Sequence, residues 1–274
     1  MKVGTIIYIH KDNIAEKFRW YAQQGFTNCQ LSMPLEDLDE AHAQQVRQAV
    51  QETGIEITAM IGVWSGPQVW DFYSGPQTLG IMPIEYRYQR MQDLICCAKF
   101  AKSIGCQNIA THLGFIPENP QDPIFVSFLC ALRYLVEEYR KLGINLLFET
   151  GQETPATLLR VFGELNAENV GLNFDPANLL MYGKANPVDA LDMVGRYVKG
   201  VHGKDGEYPT NGKELGREMP MGQGRVDFPR FVAKLKEVGY NGAITIEREI
   251  AGDQQLQDVL AAKAMLEDII EKLG

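Results

Sequence analysis

The feature that most constrains the fold of this chain is a regular alternation of two kinds of segment along its length. Short runs rich in β-branched residues are each followed by a longer amphipathic stretch, and most of these stretches end close to a glycine. Strands that alternate with helices in this way are typical of parallel βαβ units. Eight such units in 274 residues predict a closed (β/α)8 TIM barrel of class α/β. We predict a single domain over residues 1–274, because no linker interrupts the alternation.

The strands are predicted at residues 3–9, 28–33, 56–64, 108–113, 145–150, 170–175, 197–202 and 243–248. The helices are predicted at residues 12–24, 39–53, 86–103, 123–142, 154–165, 187–196, 228–238 and 254–273. The main alternative is an open, doubly wound sheet. That fold usually has a glycine-rich turn after its first strand, whereas His10, Lys11 and Asp12 follow the first strand here. The closed barrel is therefore favoured.

Composition and charge exclude several classes of partner. The formal net charge is -9, without a cluster of lysine or arginine, so binding to nucleic acid through phosphate neutralisation is not expected. The chain shows neither a signal-peptide pattern nor an apolar run long enough to cross a membrane, and we expect a cytoplasmic protein. Its five cysteines lack a Cys-x-x-Cys spacing and are expected to be reduced core thiols.

Two long segments between predicted elements require separate interpretation. Residues 65–85 contain several glycines and prolines together with three aromatic residues, Trp70, Phe72 and Tyr73. A loop of this length is either a functional cover or a surface excursion, and the sequence leaves both open. The second segment, residues 204–227, is polar and rich in glycine. It contains a Gly-x-Gly pattern without a preceding strand, so it is not a dinucleotide-binding turn.

Four residues that can bind a metal ion lie at the ends of predicted strands. Asp175 ends one strand, and Pro176 after it has no amide hydrogen to continue a sheet. Glu149, His202 and Glu247 end or nearly end three neighbouring strands. Each alone is more often a salt-bridged or hydrogen-bonded residue than a ligand. Together they predict a divalent metal site, because three buried carboxylates would repel one another without a cation. Oxygen-rich ligands favour Mn²⁺, with Mg²⁺, Co²⁺ or Zn²⁺ also compatible.

Segments around these residues resemble a known family. The segments 148–152 (FETGQ), 173–178 (NFDPAN), 202–205 (HGKD) and 246–249 (IERE) are similar to signatures of the xylose isomerase-like barrel superfamily. The closer resemblance is to its sugar phosphate isomerase/epimerase branch, which includes the ketose 3-epimerases. It covers nearly the whole chain and specifies the superfamily better than the substrate.

The resemblance implies roles for individual residues. Glu149 and Glu247 match glutamates that bind the metal and also transfer a proton, whereas Asp175 and His202 match residues that are ligands only. The implied reaction is isomerisation or epimerisation of a sugar or sugar phosphate through a metal-stabilised cis-enediolate. The ketose epimerases usually have a histidine three residues after the aspartate, and this chain has Asn178 instead. This departure concerns the substrate and leaves the metal ligands intact.

Six residues near the expected metal site are candidates for substrate binding: Trp64, His112, Gln152, Asn178, Lys204 and Arg225. His112 matches a position that often faces substrate, although a hydrogen-bonded core histidine is nearly as compatible with the sequence. The expected partner is a small carbohydrate, and the resemblance further suggests a homodimer or homotetramer.

Three other functions were compared with this interpretation. A dehydratase or lyase that removes a hydroxyl from a keto-sugar or keto-inositol would use the same metal site and remains an alternative. An abasic-site endonuclease shares the fold but needs a histidine-rich cluster of zinc ions, and this acidic chain has only four histidines. A non-enzymatic sugar-binding protein would be favoured if a ligand were missing, and all four are present.

Overall fold

A computed structural model describes all 274 residues and contains a closed barrel of eight parallel strands. The strands, in chain order, are β1 (Lys2–Tyr8), β2 (Asn28–Ser32), β3 (Glu56–Ile61), β4 (Asn108–Thr111), β5 (Asn145–Glu149), β6 (Val170–Phe174), β7 (Val198–Gly203), β8 (Asp205–Gly206), β9 (Glu218–Met219) and β10 (Ala243–Ile246). The barrel is formed by β1–β7 and β10, and β1 closes it by pairing with both β2 and β10. The short strands β8 and β9 form a separate antiparallel pair. The predicted (β/α)8 barrel is confirmed.

Ten α-helices accompany the strands. They are α1 (Ile14–Gln23), α2 (Glu40–Thr53), α3 (Gly75–Thr78), α4 (Ile84–Ser103), α5 (Pro123–Leu142), α6 (Pro155–Leu165), α7 (Pro176–Met181), α8 (Pro187–Val194), α9 (Phe228–Glu237) and α10 (Asp253–Lys272). Side chains of Asp39, Asp122, Thr154 and Asn186 accept backbone N–H groups at the starts of four of them. Such caps satisfy donors that have no partner within the helix.

The apolar core consists of 67 buried residues that form one continuous cluster. The amphipathic helices pack their apolar faces against the strands. In α5, for example, the buried residues Phe125, Phe128, Leu132 and Leu135 follow the spacing of one helix face. The apolar residues whose spacing predicted this helix are therefore the residues that it buries against the barrel.

The structure corrects the sequence interpretation at several places. Strand β3 ends at Ile61, three residues before the predicted end at Trp64, and α4 begins at Ile84 instead of Tyr86. The short helices α3 and α7 and the β8–β9 pair were not predicted. Two of the five cysteines, Cys96 and Cys130, are exposed and are not core thiols, although all five are free. None of the helices is both long enough and apolar enough to cross a membrane.

Candidate metal centre and substrate cavity

The four residues predicted as metal ligands meet at the C-terminal edge of the barrel. Glu149 is the last residue of β5, Asp175 directly follows β6, His202 lies in β7, and Glu247 directly follows β10. One ligand atom from each residue lies within 4.8 Å of the others. Because parallel strands end at the same edge of a barrel, neighbouring strands bring distant parts of the sequence to one point.

The imidazole of His202 is the centre of this cluster. Its Nδ1 lies 3.3 Å from Glu149 Oε1, 3.4 Å from Asp175 Oδ2 and 3.1 Å from Glu247 Oε2. His202 Nδ1, Asp175 Oδ2 and Glu247 Oε2 are buried and make no hydrogen bond. Buried polar atoms without partners are costly, and here three of them face one another. A divalent cation fits this arrangement, because it satisfies the nitrogen lone pair and the carboxylate oxygens together.

Asp175 performs two tasks with its two oxygens. Its Oδ1 accepts the backbone N–H of Asn178 at 2.8 Å and so caps the first turn of α7. Pro176 occupies the first helical position, where a missing N–H costs nothing. The other oxygen, Oδ2, points toward the cluster. The cap therefore fixes the rotamer that presents the ligand oxygen.

A buried amide network holds the far side of the His202 ring. Gln30 Oε1 and Asn173 Nδ2 each lie 2.9 Å from His202 Nε2, and Gln30 Nε2 donates to Asn173 Oδ1 at 2.8 Å. The ring therefore has an acceptor and a donor at Nε2 and can adopt either tautomer there. When Nε2 donates to Gln30, Nδ1 is free to bind a metal ion. Gly200 makes room for this network, because a Cβ there would lie 2.4 Å from Asn173 Oδ1.

Lys204 places a buried positive charge beside the ligand carboxylates. Its Nζ lies 3.2 Å from Glu247 Oε2, 3.8 Å from Asp175 Oδ2 and 2.8 Å from Glu249 Oε1. It also donates to Asn178 Oδ1 at 3.3 Å. Only 1% of the lysine side chain is exposed, so these partners replace its hydration. Asn178 links this lysine to the metal site, since its Nδ2 donates to Glu149 Oε1 at 3.4 Å.

Mutual attraction in this cluster keeps Glu149 and Glu247 ionised and Lys204 protonated. Burial raises the pKa of Glu247, but the charges of Lys204 and His202 outweigh it and lower the pKa to about 2. Burial likewise opposes ionisation of Glu149, and the charges of His112 and His202 hold its pKa well below the usual value. Burial lowers the pKa of Lys204, and the charges of Glu247 and Glu249 raise it well above the usual value. The two glutamates are thus carboxylates at neutral pH.

His112 and Gln152 form a second set of contacts next to Glu149. His112 Nε2 lies 3.3 Å from Glu149 Oε1, and His112 Nδ1 lies 3.1 Å from Gln152 Oε1. Gln152 Nε2 donates to the hydroxyl of Tyr182 at 3.1 Å. Burial lowers the pKa of His112, but the charge and hydrogen bond of Glu149 raise it to about 9. Both residues thus lie close to the metal centre, with His112 paired to one of its glutamates.

A cavity of about 160 Å³ opens directly beside the ligands. Glu149, Glu247 and His112 contribute to its wall, and Trp64, Trp70 and Tyr8 supply its aromatic surfaces. Glu249 also lines it. A larger cavity of about 610 Å³ contains none of the four ligands, and its lining includes Lys2, Glu56 and Lys199. The smaller cavity is the candidate substrate site because the reactive groups lie there.

The segment of residues 65–85 lies over this cavity. Gln68 and Trp70 are part of its wall, and the Trp70 ring lies 5.0 Å from the His112 ring in an edge arrangement. The buried guanidinium of Arg90 donates to four carbonyls of this segment, those of Ser65, Pro67, Thr78 and Gly80. The segment therefore covers the site, as one of the two interpretations of the sequence expected.

Residues 204–227 are organised by Asp205. Its carboxylate accepts backbone N–H groups from Gly222, Gly224 and Val226 at 2.9 to 3.0 Å. Arg225 lies in this loop and is exposed, and it does not line the candidate cavity. Of the six candidate substrate-binding residues, Trp64 and His112 line the cavity, whereas Gln152, Asn178 and Lys204 contact residues of the site from behind.

Sequence reasoning did not assign four residues to the site: Tyr8, Gln30, Gln68 and Glu249. It named Trp70 only as part of a loop interpreted as either a cover or a surface excursion. The segment 246–249 did contain Glu249, and its position two residues after Glu247 places it on the same edge. Gln30 gave no such signal, because a polar residue in a short strand is equally compatible with a solvent-facing position.

Comparisons with known proteins agree with this geometry. The xylose isomerase-like TIM barrel family matches residues 18–269. An uncharacterized protein of Methanocaldococcus jannaschii is 28% identical over 174 residues, which cover 60% of this chain and 56% of that protein. A xylose isomerase domain protein from Planctomyces limnophilus has a similar structure, with 28% identity, a TM-score of 0.90 and coverage of 99% of this chain and 98% of that chain.

A D-tagatose 3-epimerase-like protein is also similar in structure. It has 20% identity and a TM-score of 0.76, and the match covers 99% of this chain and 97% of that chain. At this identity the likeness concerns the fold. The family match extends over nearly the whole barrel and includes all four ligand positions. The chain therefore belongs to the xylose isomerase-like TIM barrel family.

Proposed function

We propose that this protein is a divalent-metal-dependent sugar isomerase or epimerase in which Glu149 and Glu247 transfer the proton. The observation that carries the proposal is the group of three buried atoms without a hydrogen bond, His202 Nδ1, Asp175 Oδ2 and Glu247 Oε2, beside a cavity. Glu149, Asp175, His202 and Glu247 would hold the ion. A bound divalent cation supplies Lewis-acid polarisation of a substrate carbonyl and so acidifies the neighbouring C–H bond.

The two glutamates are suited to this task by their state and position. Both are ionised at neutral pH for the reasons given above, so each can accept a proton from carbon. Both line the cavity, and they reach it from β5 and β10. One glutamate removes the proton next to the carbonyl and the other returns it. Return to the opposite face of the same carbon gives an epimer, and return to the neighbouring carbon gives an aldose–ketose isomer.

Polar and charged neighbours orient the two glutamates. Glu149 Oε1 faces both His112 Nε2 and Asn178 Nδ2, and Glu247 Oε2 faces Lys204 Nζ. These contacts orient each carboxylate and stabilise its ionised form. Manganese is the ion we propose, because a site of three carboxylates and one imidazole is oxygen-rich and without a cysteine.

Solvent exchange tests the proposal. The Mn²⁺-loaded protein is incubated in D₂O with ketoses and aldoses, and the C–H next to each carbonyl is followed by NMR. We expect deuterium incorporation into one sugar that stops on addition of EDTA. Glu149→Gln and Glu247→Gln should each reduce exchange by at least about 10²-fold while the fold is retained by circular dichroism. Full activity in both variants would refute the assignment.

The product formed distinguishes isomerisation and epimerisation from dehydration, the alternative reaction. Loss of a hydroxyl during exchange, detected as a dehydrated ketone, would identify a dehydratase that uses the same metal centre. His112 makes this reaction a specific second candidate. Burial lowers the pKa of His112, but the charge and hydrogen bond of Glu149 raise it to about 9, so the imidazole is protonated at neutral pH. The departing hydroxyl would receive the Nε2 proton of this imidazole in place of Glu149.

A further inference from the structure

The candidate cavity has an unusual distribution of charge. Its ionisable lining residues are Glu149, Glu247, Glu249, His112 and Tyr8, and neither lysine nor arginine is present in the wall. Sites that bind phosphate or carboxylate groups normally present arginine, lysine or free backbone N–H groups to the anion. A helix start can also bind an anion through its free N–H groups, but at the start of α7 the N–H of Asn178 already donates to Asp175 Oδ1.

The cations near the cavity are already paired with carboxylates. Lys204 contacts Glu249 and Glu247 at 2.8 and 3.2 Å. Arg248 donates through Nε to Asp258 at 2.7 Å and pairs through Nη1 with Glu218. Arg225, one of the six candidate substrate-binding residues, is exposed and outside the wall. To pair with Lys204 or Arg248, an anionic group entering the cavity would have to displace one of the carboxylates that these cations already contact.

The formal charges of the groups around the cavity also disfavour an anionic substrate. Asp175, Glu149, Glu247 and Glu249 carry four negative charges, against one positive charge on Lys204 and two on a divalent ion. The sum is minus one. These formal charges leave no excess positive charge beside the cavity for an anionic substrate.

The size and surface of the cavity fit a small uncharged ligand. Its volume of about 160 Å³ is smaller than the roughly 300–1,000 Å³ that is usual for ligand pockets. Trp64 and Trp70 offer flat apolar surfaces, and Gln68 and Tyr8 offer uncharged polar groups. On the basis of the proposed function, we infer that the substrate is an uncharged, monosaccharide-sized polyhydroxy ketone or aldehyde, and not a phosphate ester or a sugar acid.

Matched pairs of neutral and charged sugars test this inference. Mn²⁺-loaded protein in D₂O is given D-fructose or D-fructose 6-phosphate, D-ribulose or D-ribulose 5-phosphate, and D-glucose or D-glucuronate. Binding of each is followed independently by tryptophan fluorescence, since two of the three tryptophans line the cavity. We expect neutral sugars to bind and exchange at least about tenfold better than their charged partners.

The possible results separate this inference from the proposed function. Exchange that is faster on esters or acids would overturn the inference and support the isomerase. Quenching by neutral sugars without exchange on any of them would support the inference and refute the isomerase. Absence of both exchange and quenching across the panel would overturn both.

A charge-gain variant tests the cause of the selectivity. Gln68 lines the cavity wall and is exposed at its surface. Gln68→Arg should bind the phosphate esters about tenfold more tightly than Gln68→Met does, because it adds the cation that the wall lacks. Equal ester affinities in the two variants would overturn charge as the determinant.

Discussion

Gln30 Oε1 lies 2.9 Å from His202 Nε2, on the side of the imidazole that faces away from the other ligands. The contact joins β2 to β7 across the interior of the barrel. It is formed by a residue that lies outside all four signature segments. A glutamine carbonyl in this position favours the tautomer whose Nδ1 can bind a metal ion.

Replacing Gln30 should therefore weaken metal binding without removing a ligand. We expect Gln30→Leu to reduce Mn²⁺ affinity by about 10–100-fold, as is usual when a residue that orients a ligand is lost. Gln30→Glu keeps an acceptor oxygen for His202 Nε2, and rotation of the Asn173 amide lets its Nδ2 donate to the second carboxylate oxygen, so this variant should restore most of the affinity. Isothermal titration calorimetry measures both. Equal weakening in the two variants would show that packing, and not the hydrogen bond, is responsible.

Asp175→Asn should separate the capping role of this residue from its role as a ligand. Asparagine caps helices as well as aspartate does, so the bond to the Asn178 N–H should persist. The replacement of Oδ2 removes a carboxylate ligand, and we expect Mn²⁺ affinity to fall by more than about 10²-fold. Asp175→Ala loses both roles and should be less stable than Asp175→Asn by about 1 kcal/mol in urea unfolding. Equal stabilities would contradict the capping role.

Lys204→Met should lower stability and strengthen metal binding. Breaking a buried ion pair leaves Glu247 and Glu249 without their cation, at a cost of about 3 kcal/mol in the free energy of unfolding. A divalent ion then becomes the main compensating charge, so the rise in Tm on addition of Mn²⁺ should be larger than in the parent protein. Thermal unfolding with EDTA and with excess Mn²⁺ measures both effects. A smaller rise would show that Lys204 helps to bind the ion.

Glu153 gives the protein a pH-dependent stability. Burial raises the pKa of Glu153 to about 8 in the folded protein, whereas an unfolded glutamate titrates near roughly 4.3. The folded state therefore binds this proton more tightly, and its contribution to stability is lost as the pH rises through that interval. Glu153→Gln cannot ionise and should gain up to about 5 kcal/mol relative to the parent protein between pH 4 and pH 8.

Urea unfolding across this pH range measures the effect, and Glu271→Gln at the exposed end of α10 serves as the control. A difference between Glu153→Gln and the parent that does not change with pH would refute the assignment.

The periodicity of the sequence was sufficient for the barrel, because eight amphipathic helices and eight apolar strands leave little choice of architecture. The meeting of the four candidate ligands could also be predicted, since each lies at or near a strand end and parallel strands place their ends together. The short elements were missed for a local reason. In α7, Pro176 was interpreted only as the end of a strand, although aspartate before proline is also a helix start. The β8–β9 pair depends on Asp205 binding distant glycine amides, which no local pattern reveals.

The cavity wall was the least predictable part. Trp70 reaches it from a loop whose path is set by Arg90, and the hydrogen bonds between them connect residues 10 to 25 positions apart. Contacts of this kind depend on tertiary packing. Tyr8 and Glu249 lie at or just beyond strand ends, as the candidate ligands do, but both are exposed residues that line the cavity only once the barrel has closed.

The anchoring of residues 65–80 by Arg90 bears on which step limits the rate of turnover. Four backbone carbonyls converge on one guanidinium that also stacks on Tyr86 at 4.8 Å. The conformational entropy of the two anchored ends, residues 65–67 and 78–80, is thus given up once, when the chain folds, and not again in each catalytic cycle. We therefore expect no large closing movement of the cover, and a turnover that is insensitive to solvent viscosity except through diffusion of the substrate itself.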